Sequence, residues 1–135
     1  MLEIVKEGSL YETNGGTRRL LVVEDHAVFC GALAQSLARR VKFDCVQAGS
    51  SIEGRERASE GVSAALVDLD LPDGSATEVI RALREANPHA PILALTMSRD
   101  RARCDAALRA GADEVLDASS SLEDLIDAMI KLVAA

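Results

Sequence analysis

Residues 20–25 read Leu20-Leu21-Val22-Val23-Glu24-Asp25, an apolar run that ends on two acids. A second run, Ala64-Ala65-Leu66-Val67, ends in the same way on Asp68. Short apolar runs of this kind are typical of strands buried on both faces. Because carboxylates crowded at the ends of such strands repel one another, a cation or hydrogen bonds must offset the cost. The pattern therefore predicts a cation site built from strand-end acids.

Strand-like runs alternate with helix-like stretches along the rest of the chain. The predicted strands are 19–24, 43–47, 64–68, 92–96 and 114–116. The predicted helices are 27–40, 51–60, a stretch around Val79 and Leu83 that stops before Asn87, 100–110 and 121–133. Gly54 weakens the second helix, Gly111 predicts a left-handed cap on the fourth, and Ser120 begins a capping-box pattern for the last. Five such repeats predict a doubly wound, parallel α/β sheet covered by helices on both faces.

Composition bounds the size and the partners of the protein. At 135 residues and 48% hydrophobic content, the chain suits one domain with a core. We expect this domain to span residues 18–135, after an N-terminal extension, residues 1–17, that is disordered or forms a short extra element. The formal charge of −7 disfavours direct binding to nucleic acid or to an anionic membrane. No apolar stretch approaches the roughly 20 residues that span a bilayer, so we expect a cytoplasmic protein.

The strand ends locate a candidate site. In doubly wound sheets, binding sites form at the carboxyl ends of the strands near the topological switch point. With the strand order 2-1-3-4-5, the first and third strands are neighbours, so Glu24, Asp25 and Asp68 converge. Such oxygen ligands suit Mg²⁺, and a carboxylate such as Asp68 can attack phosphorus to form an aspartyl phosphate. The hydroxyl of Thr96, at the end of the fourth strand, would then bind a phosphoryl oxygen.

Four motifs follow one another in a specific order: Leu-Val-Val-Glu-Asp-His at 21–26, Leu-Val-Asp-Leu-Asp-Leu-Pro-Asp-Gly at 66–74, Leu-Thr at 95–96 and Ala-Gly-Ala-Asp at 110–113. Together they resemble the receiver domain of two-component response regulators. The resemblance covers about residues 18–134 and implies a flavodoxin-like fold with five strands. The segment Leu-Pro-Asp-Gly-Ser most resembles the corresponding segment of receivers that precede helix-turn-helix output domains.

The resemblance implies a role for each matching residue. Asp68 corresponds to the phosphoacceptor, Asp25 to a direct ligand of Mg²⁺, Glu24 to a ligand through water, and the backbone carbonyl of Asp70 to the remaining protein ligand. Thr96 resembles the switch hydroxyl that moves toward the phosphate. A sensor histidine kinase or phosphotransfer protein would supply the phosphoryl group, and a downstream output domain or protein would receive the signal. The fourth helix, fifth strand and last helix would form the readout surface and a homodimer face.

Three positions depart from the family pattern. Ala118 stands where the family carries a lysine that donates to the phosphoryl group, and the lysines of this chain, at 6, 42 and 131, are not placed to replace it. Its loss removes a charge-assisted hydrogen bond worth roughly 1.5–3 kcal/mol. Val115 replaces a common aromatic residue, and Met97 replaces a small residue. We therefore expect Met97 to narrow access to Asp68.

The other charged residues near these motifs receive plainer interpretations. Arg99, Arg101 and Arg103 alternate into the fourth helix and are interpreted as a solvated face, with only Arg99 retained as a candidate substitute for the lysine. His26 follows the acid pair directly and is interpreted as a helix-start residue rather than a ligand.

Three functions from different classes remain open. The first is a signalling receiver, not an enzyme, that accepts a phosphoryl group on Asp68 with Mg²⁺ and switches conformation. The second is an atypical pseudo-receiver that signals through protein contacts without phosphorylation, as the departures at 118, 115 and 97 allow. The third is a small hydrolase or phosphatase with an aspartate nucleophile, because Asp68 and Asp70 match an Asp-x-Asp motif. A phosphoryl adduct on the protein would favour the first function, and the absence of an adduct would favour the second. Steady turnover of a phosphomonoester would favour the third.

Overall fold

The computed structural model describes residues 18–40, 43–97, 100–117 and 121–134. The predicted N-terminal extension, residues 1–17, lies outside this part of the chain, as do Arg99, Ala118 and Ser120. The strands are β1 (Arg18–Val23), β2 (Phe43–Ala48), β3 (Ala64–Asp68), β4 (Ile92–Thr96) and β5 (Glu114–Asp117). The helices are α1 (Ala27–Ala38), α2 (Ser51–Arg57), α3 (Ala76–Ala86), α4 (Arg101–Ala110) and α5 (Leu122–Ala134).

The five strands form one parallel sheet in the order β2-β1-β3-β4-β5. This order confirms the predicted doubly wound α/β fold. The strand register determines where the site lies. Val23 pairs with Val67, so the acids that directly follow these two residues lie at the same edge of the sheet. Asp68 in turn pairs with Leu95, so that Thr96 ends β4 one residue further along.

The sheet is buried on both of its faces. Every residue of β3 and of β4 is buried, as expected for central strands of a parallel sheet. Alternate residues of β1 point to opposite sides: Leu21 and Val23 join the apolar cluster under α2, α3 and α4, whereas Leu20 and Val22 join the cluster under α1 and α5. The two clusters hold the strand ends in place from either side of the sheet.

Helix α2 is shorter than its sequence pattern predicts. It ends at Arg57 rather than at residue 60, because the chain then turns back toward β3 and Gly61 adopts a φ of 72°. Gly54 faces the core, where a Cβ atom would lie 3.0 Å from a methyl carbon of Val23 and 3.2 Å from one of Val79. The glycine that weakens the helical pattern therefore allows α2 to approach the sheet closely.

Two helix ends differ in how well the sequence predicts them. Gly111 follows α4 with a φ of 128° and donates to carbonyls of the last turn, as the predicted left-handed cap requires. At the start of α5 the described cap is Ser121, whose hydroxyl accepts a hydrogen bond from the backbone N–H of Asp124 at 3.1 Å. Within the described residues, no helix is long and apolar enough to cross a membrane.

Candidate functional site

Three acids and a histidine meet at the carboxyl edge of the sheet. Glu24 and Asp25 follow β1, and Asp68 ends β3, the strand beside it. One ligand atom from each of Glu24, Asp25, His26 and Asp68 can be chosen so that all four lie within 4.8 Å of one another. The structure therefore brings together the three acids that the sequence placed at neighbouring strand ends.

Burial makes this cluster electrostatically costly. Glu24 is 6% exposed and Asp68 is 8% exposed. Burial raises the pKa of the Glu24 carboxyl to about 7; the hydrogen bond with His26 opposes the rise, whereas Asp25 and Asp68 add to it. Burial likewise raises the pKa of Asp68, against the hydrogen bond that its carboxylate accepts from the backbone of Asp70. Uncompensated carboxylates of this kind are stabilised by a nearby cation.

His26 contributes to the cluster more than its position in the sequence indicated. It is the N-cap residue of α1, as the helix-start interpretation requires. Its ring Nδ1 also lies 2.7 Å from Oε1 of Glu24 and 3.3 Å from Oδ1 of Asp25. The bond with Glu24 is the largest cause that raises the pKa of His26. Direct adjacency to the acid pair was the available signal, but the orientation of the ring depends on how the chain leaves β1.

Asp70 connects the phosphoacceptor candidate to the loop after β4. Its backbone N–H donates to Oδ1 of Asp68 at 2.8 Å. Its own carboxylate accepts a hydrogen bond from the backbone N–H of Met97 at 2.6 Å and forms an ion pair with Arg103, whose Nη1 lies 2.7 Å from Oδ1. Arg103 also donates to the backbone oxygen of Leu69. Arg103 is exposed, as the solvated-face interpretation predicts, but its guanidinium is also paired with the Asp70 carboxylate.

A cavity of about 290 Å³ opens beside the acids. The acids and His26 line it together with apolar residues of α1, β4, β5 and α5: Phe29, Leu95, Leu116, Leu122 and Leu125. The cavity gives a small group access to Asp68 from solvent.

The protein-family comparison matches residues 20–130 to the response regulator receiver domain. This chain belongs to that family. Receiver domains are signalling domains of two-component systems rather than classical enzymes. The match spans both strands that carry the acids and extends into α5.

Curated relatives of this receiver domain are regulators. The photosynthetic apparatus regulatory protein RegA of Rhodobacter capsulatus is 34% identical over 120 residues, which cover 86% of this chain and 63% of RegA. The chain thus spans under two thirds of the length of this relative.

Solved structures show the same fold. A response regulator protein from Burkholderia pseudomallei, solved with a phosphorylated aspartic acid, a calcium ion and citrate, is 30% identical with a TM-score of 0.74, over 87% of this chain and 69% of that one. A CheY-like receiver domain protein from Methanospirillum hungatei has a TM-score of 0.79 at 22% identity, over 88% of this chain and 95% of that one. The flavodoxin-like receiver fold is thereby confirmed.

The remaining predicted site residues of the receiver domain lie around the same edge. Thr96 is buried at the end of β4. Val115 lies in β5, partly buried against the cluster under α2, α3 and α4. Met97 lines the cavity and is 70% exposed, so its effect on access to Asp68 stays a prediction. Ala118, where the family lysine is expected, is outside the described residues.

The acids of this receiver domain fit a divalent cation. Members of the family bind Mg²⁺ at an acidic pocket. Here Glu24, Asp25 and Asp68 offer carboxylate oxygens that lie within 4.8 Å of one another, and hard oxygen ligands are those that Mg²⁺ selects. The raised pKa values of Glu24 and Asp68 agree with a site that is completed by positive charge.

Proposed function

We propose that this receiver domain accepts a phosphoryl group on Asp68 in a Mg²⁺-dependent step. The observation that carries the proposal is the convergence of Glu24, Asp25 and Asp68, with ligand atoms within 4.8 Å of one another, in the lining of a cavity large enough for a phosphoryl group. Further support comes from the Burkholderia pseudomallei relative, which was solved with a phosphorylated aspartic acid and a calcium ion.

Each residue has a defined part in the proposed reaction. A carboxylate oxygen of Asp68 attacks phosphorus; the new O–P bond forms as the P–N bond to a donor histidine breaks, and the histidine nitrogen keeps the electron pair. Asp25, Asp68, Glu24 through water and the backbone carbonyl of Asp70 would hold the ion. When bound, Mg²⁺ supplies charge that offsets the repulsion between the carboxylate and the phosphoryl oxygens. The backbone N–H of Asp70, 2.8 Å from Oδ1, orients the attacking carboxylate.

Signal output in this proposal is a population shift. The hydroxyl of Thr96 binds a phosphoryl oxygen and favours one of two arrangements of the loop after β4 by a few kcal/mol. A sensor histidine kinase or phosphotransfer protein is the proposed donor, an output domain or separate protein is the proposed recipient, and the cytoplasm is the proposed compartment. A homodimer through α4, β5 and α5 completes the proposal.

The test is intact-mass spectrometry after incubation with acetyl phosphate and Mg²⁺. We expect one phosphoryl adduct on the wild type, none on Asp68→Asn, and none in the presence of a chelator. Asp44→Asn, which changes an exposed acid of β2, is the matched control and should be modified as the wild type is. An unmodified wild type would contradict the proposal and leave a phosphorylation-independent pseudo-receiver; an adduct that survives Asp68→Asn would place the acceptor elsewhere.

A further inference from the structure

Arg103 attaches the first turn of α4 to the loop that follows β3. Its Nη1 lies 2.7 Å from Oδ1 of Asp70, and its Nη2 donates to the backbone oxygen of Leu69. The other carboxylate oxygen of Asp70 accepts a hydrogen bond from the backbone N–H of Met97 at 2.6 Å, between β4 and α4. Asp70 thus holds both the start of the β4–α4 connection and the helix itself.

The first half of α4 buries few of its side chains. Residues 101–106 are exposed or only partly buried, and the buried residues of α4, Ala107 and Ala110, lie in its second half. The N-cap Asp100 accepts a hydrogen bond from the backbone N–H of Ala102 at 2.9 Å, a contact within the same segment. Since few buried apolar contacts mean a low local free energy of opening, the first turns of α4 depend strongly on the Arg103 bridge.

Arg103 is also paired with an acid that contacts the proposed phosphoacceptor. Among the described residues, it is the only arginine or lysine in an ion pair with an acid of this site. Its partner Asp70 is itself hydrogen-bonded to Asp68 through the backbone, at 2.8 Å. A guanidinium group binds carboxylate and phosphate in the same two-pronged geometry, so a dianionic phosphoryl group beside Asp70 would compete for it.

We propose that Arg103 is a phosphate-responsive latch. In the resting protein the guanidinium binds Asp70 and holds α4 against the β3–α3 loop; a phosphoryl group on Asp68 draws the guanidinium away from Asp70 and releases the first turns of α4. This inference rests on the proposed phosphorylation of Asp68, and it gives an arginine of α4 the charge-neutralising part that no described lysine takes. Arg103 therefore controls α4 by binding either Asp70, which holds the first turns of the helix, or the phosphoryl group, which releases them.

Beryllofluoride with Mg²⁺ is the probe, because it mimics a phosphoryl group on aspartate, and its binding is followed by fluorine NMR. We expect Arg103→Ala to weaken beryllofluoride binding by about fivefold. Arg103→Lys should weaken it less, because the lysine keeps the positive charge but loses the two-pronged geometry of the guanidinium. Asp70→Asn removes the competing charge and should tighten binding, and this gain should shrink when Arg103→Ala is also present. If Arg103 has a merely structural role, Asp70→Asn and Arg103→Ala break the same ion pair and should change beryllofluoride binding in the same direction.

Hydrogen exchange of the backbone amides of residues 104–107 reports the latch directly. The amide of Cys104 already bonds the carbonyl of Asp100 at 3.2 Å, so opening of these turns exposes a bonded N–H. In the wild type, beryllofluoride should speed exchange at these amides. In Arg103→Ala they should exchange fast without it and respond no further. Arg101→Ala, a neighbouring exposed arginine of α4, should behave as the wild type does.

A failure of the proposed phosphorylation can be distinguished from a failure of the latch alone. If the wild type shows no bound beryllofluoride signal, the proposed phosphorylation of Asp68 is contradicted, and the latch with it. If the wild type binds the probe but Arg103→Ala has the same affinity and the same exchange response, the proposed function stands and the latch is overturned.

Discussion

The backbone N–H of Met97 donates to the Asp70 carboxylate at 2.6 Å and so ties the loop after β4 to the loop after β3. Asp70→Ala removes this acceptor and the partner of Arg103, and we expect the free energy of unfolding to fall by about 1–2 kcal/mol. Asp70→Asn keeps a carbonyl oxygen for Met97 and should cost less. Urea unfolding measures both, with Glu85→Ala, an exposed acid of α3, as the control. A loss as large in the control as in Asp70→Ala would show that the bond contributes nothing.

The stability of the metal-free protein should fall as the pH rises. Glu24 has an ordinary pKa of 4.5, and burial raises it to about 7 in the folded state. The folded state therefore holds this proton more tightly than the unfolded chain does, so the contribution is fully present below pH 4.5 and is lost as the pH rises toward 7. The raised pKa values of His26 and Asp68 act in the same direction.

Urea unfolding in a chelating buffer at pH 5 and pH 8 tests this dependence. We expect the free energy of unfolding to be about 2 kcal/mol lower at pH 8 than at pH 5. Glu24→Gln should remove most of this difference, because the amide does not titrate. Stability that is equal at both pH values in the wild type would contradict the raised pKa of Glu24.

Removal of one strand-end acid should weaken Mg²⁺ binding. Asp25 offers an oxygen to the cluster and keeps its side chain 31% exposed, so the substitution leaves the core intact. We expect Asp25→Asn to lower the affinity for Mg²⁺ by about tenfold or more in titration calorimetry, because one anionic ligand is lost. Asp44→Asn removes the same charge near the amino end of β2, at the edge of the sheet opposite the site, and should leave the affinity unchanged. Equal effects of the two substitutions would mean that net charge, and not the site, holds the ion.

Two glycines in helices should respond in opposite ways to alanine. In α2, Gly54→Ala places a Cβ 3.0 Å from Val23 and 3.2 Å from Val79, so we expect a loss of about 1–3 kcal/mol in the free energy of unfolding. In α1, a Cβ at Gly31 meets nothing within 4 Å, and Gly31→Ala should stabilise the protein by about 0.5–1 kcal/mol. Thermal unfolding of the two variants compares them, and a Gly54→Ala variant at least as stable as the wild type would argue against the close approach at Gly54.

The positions of the buried strands were readable from local sequence alone. The strands predicted at 64–68 and 92–96 match β3 and β4 residue for residue. Apolar runs such as residues 64–67 indicate a central strand, because a strand in the middle of a parallel sheet is covered by helices on both faces. Helix ends were harder: α2 ends three residues before its predicted limit, since the turn at Gly61 depends on where β3 begins.

The sequence by itself determined that Glu24, Asp25 and Asp68 meet, because parallel strands bring their carboxyl ends to one edge of the sheet whatever the side chains do. Only the tertiary structure decided which partners these acids and their neighbour Asp70 would have. The ring of His26 turns back to Glu24, and Arg103 reaches from α4 to Asp70. Such pairs depend on distances between separate elements, and a charged side chain on a helix looks the same in sequence whether it faces water or a carboxylate on another loop.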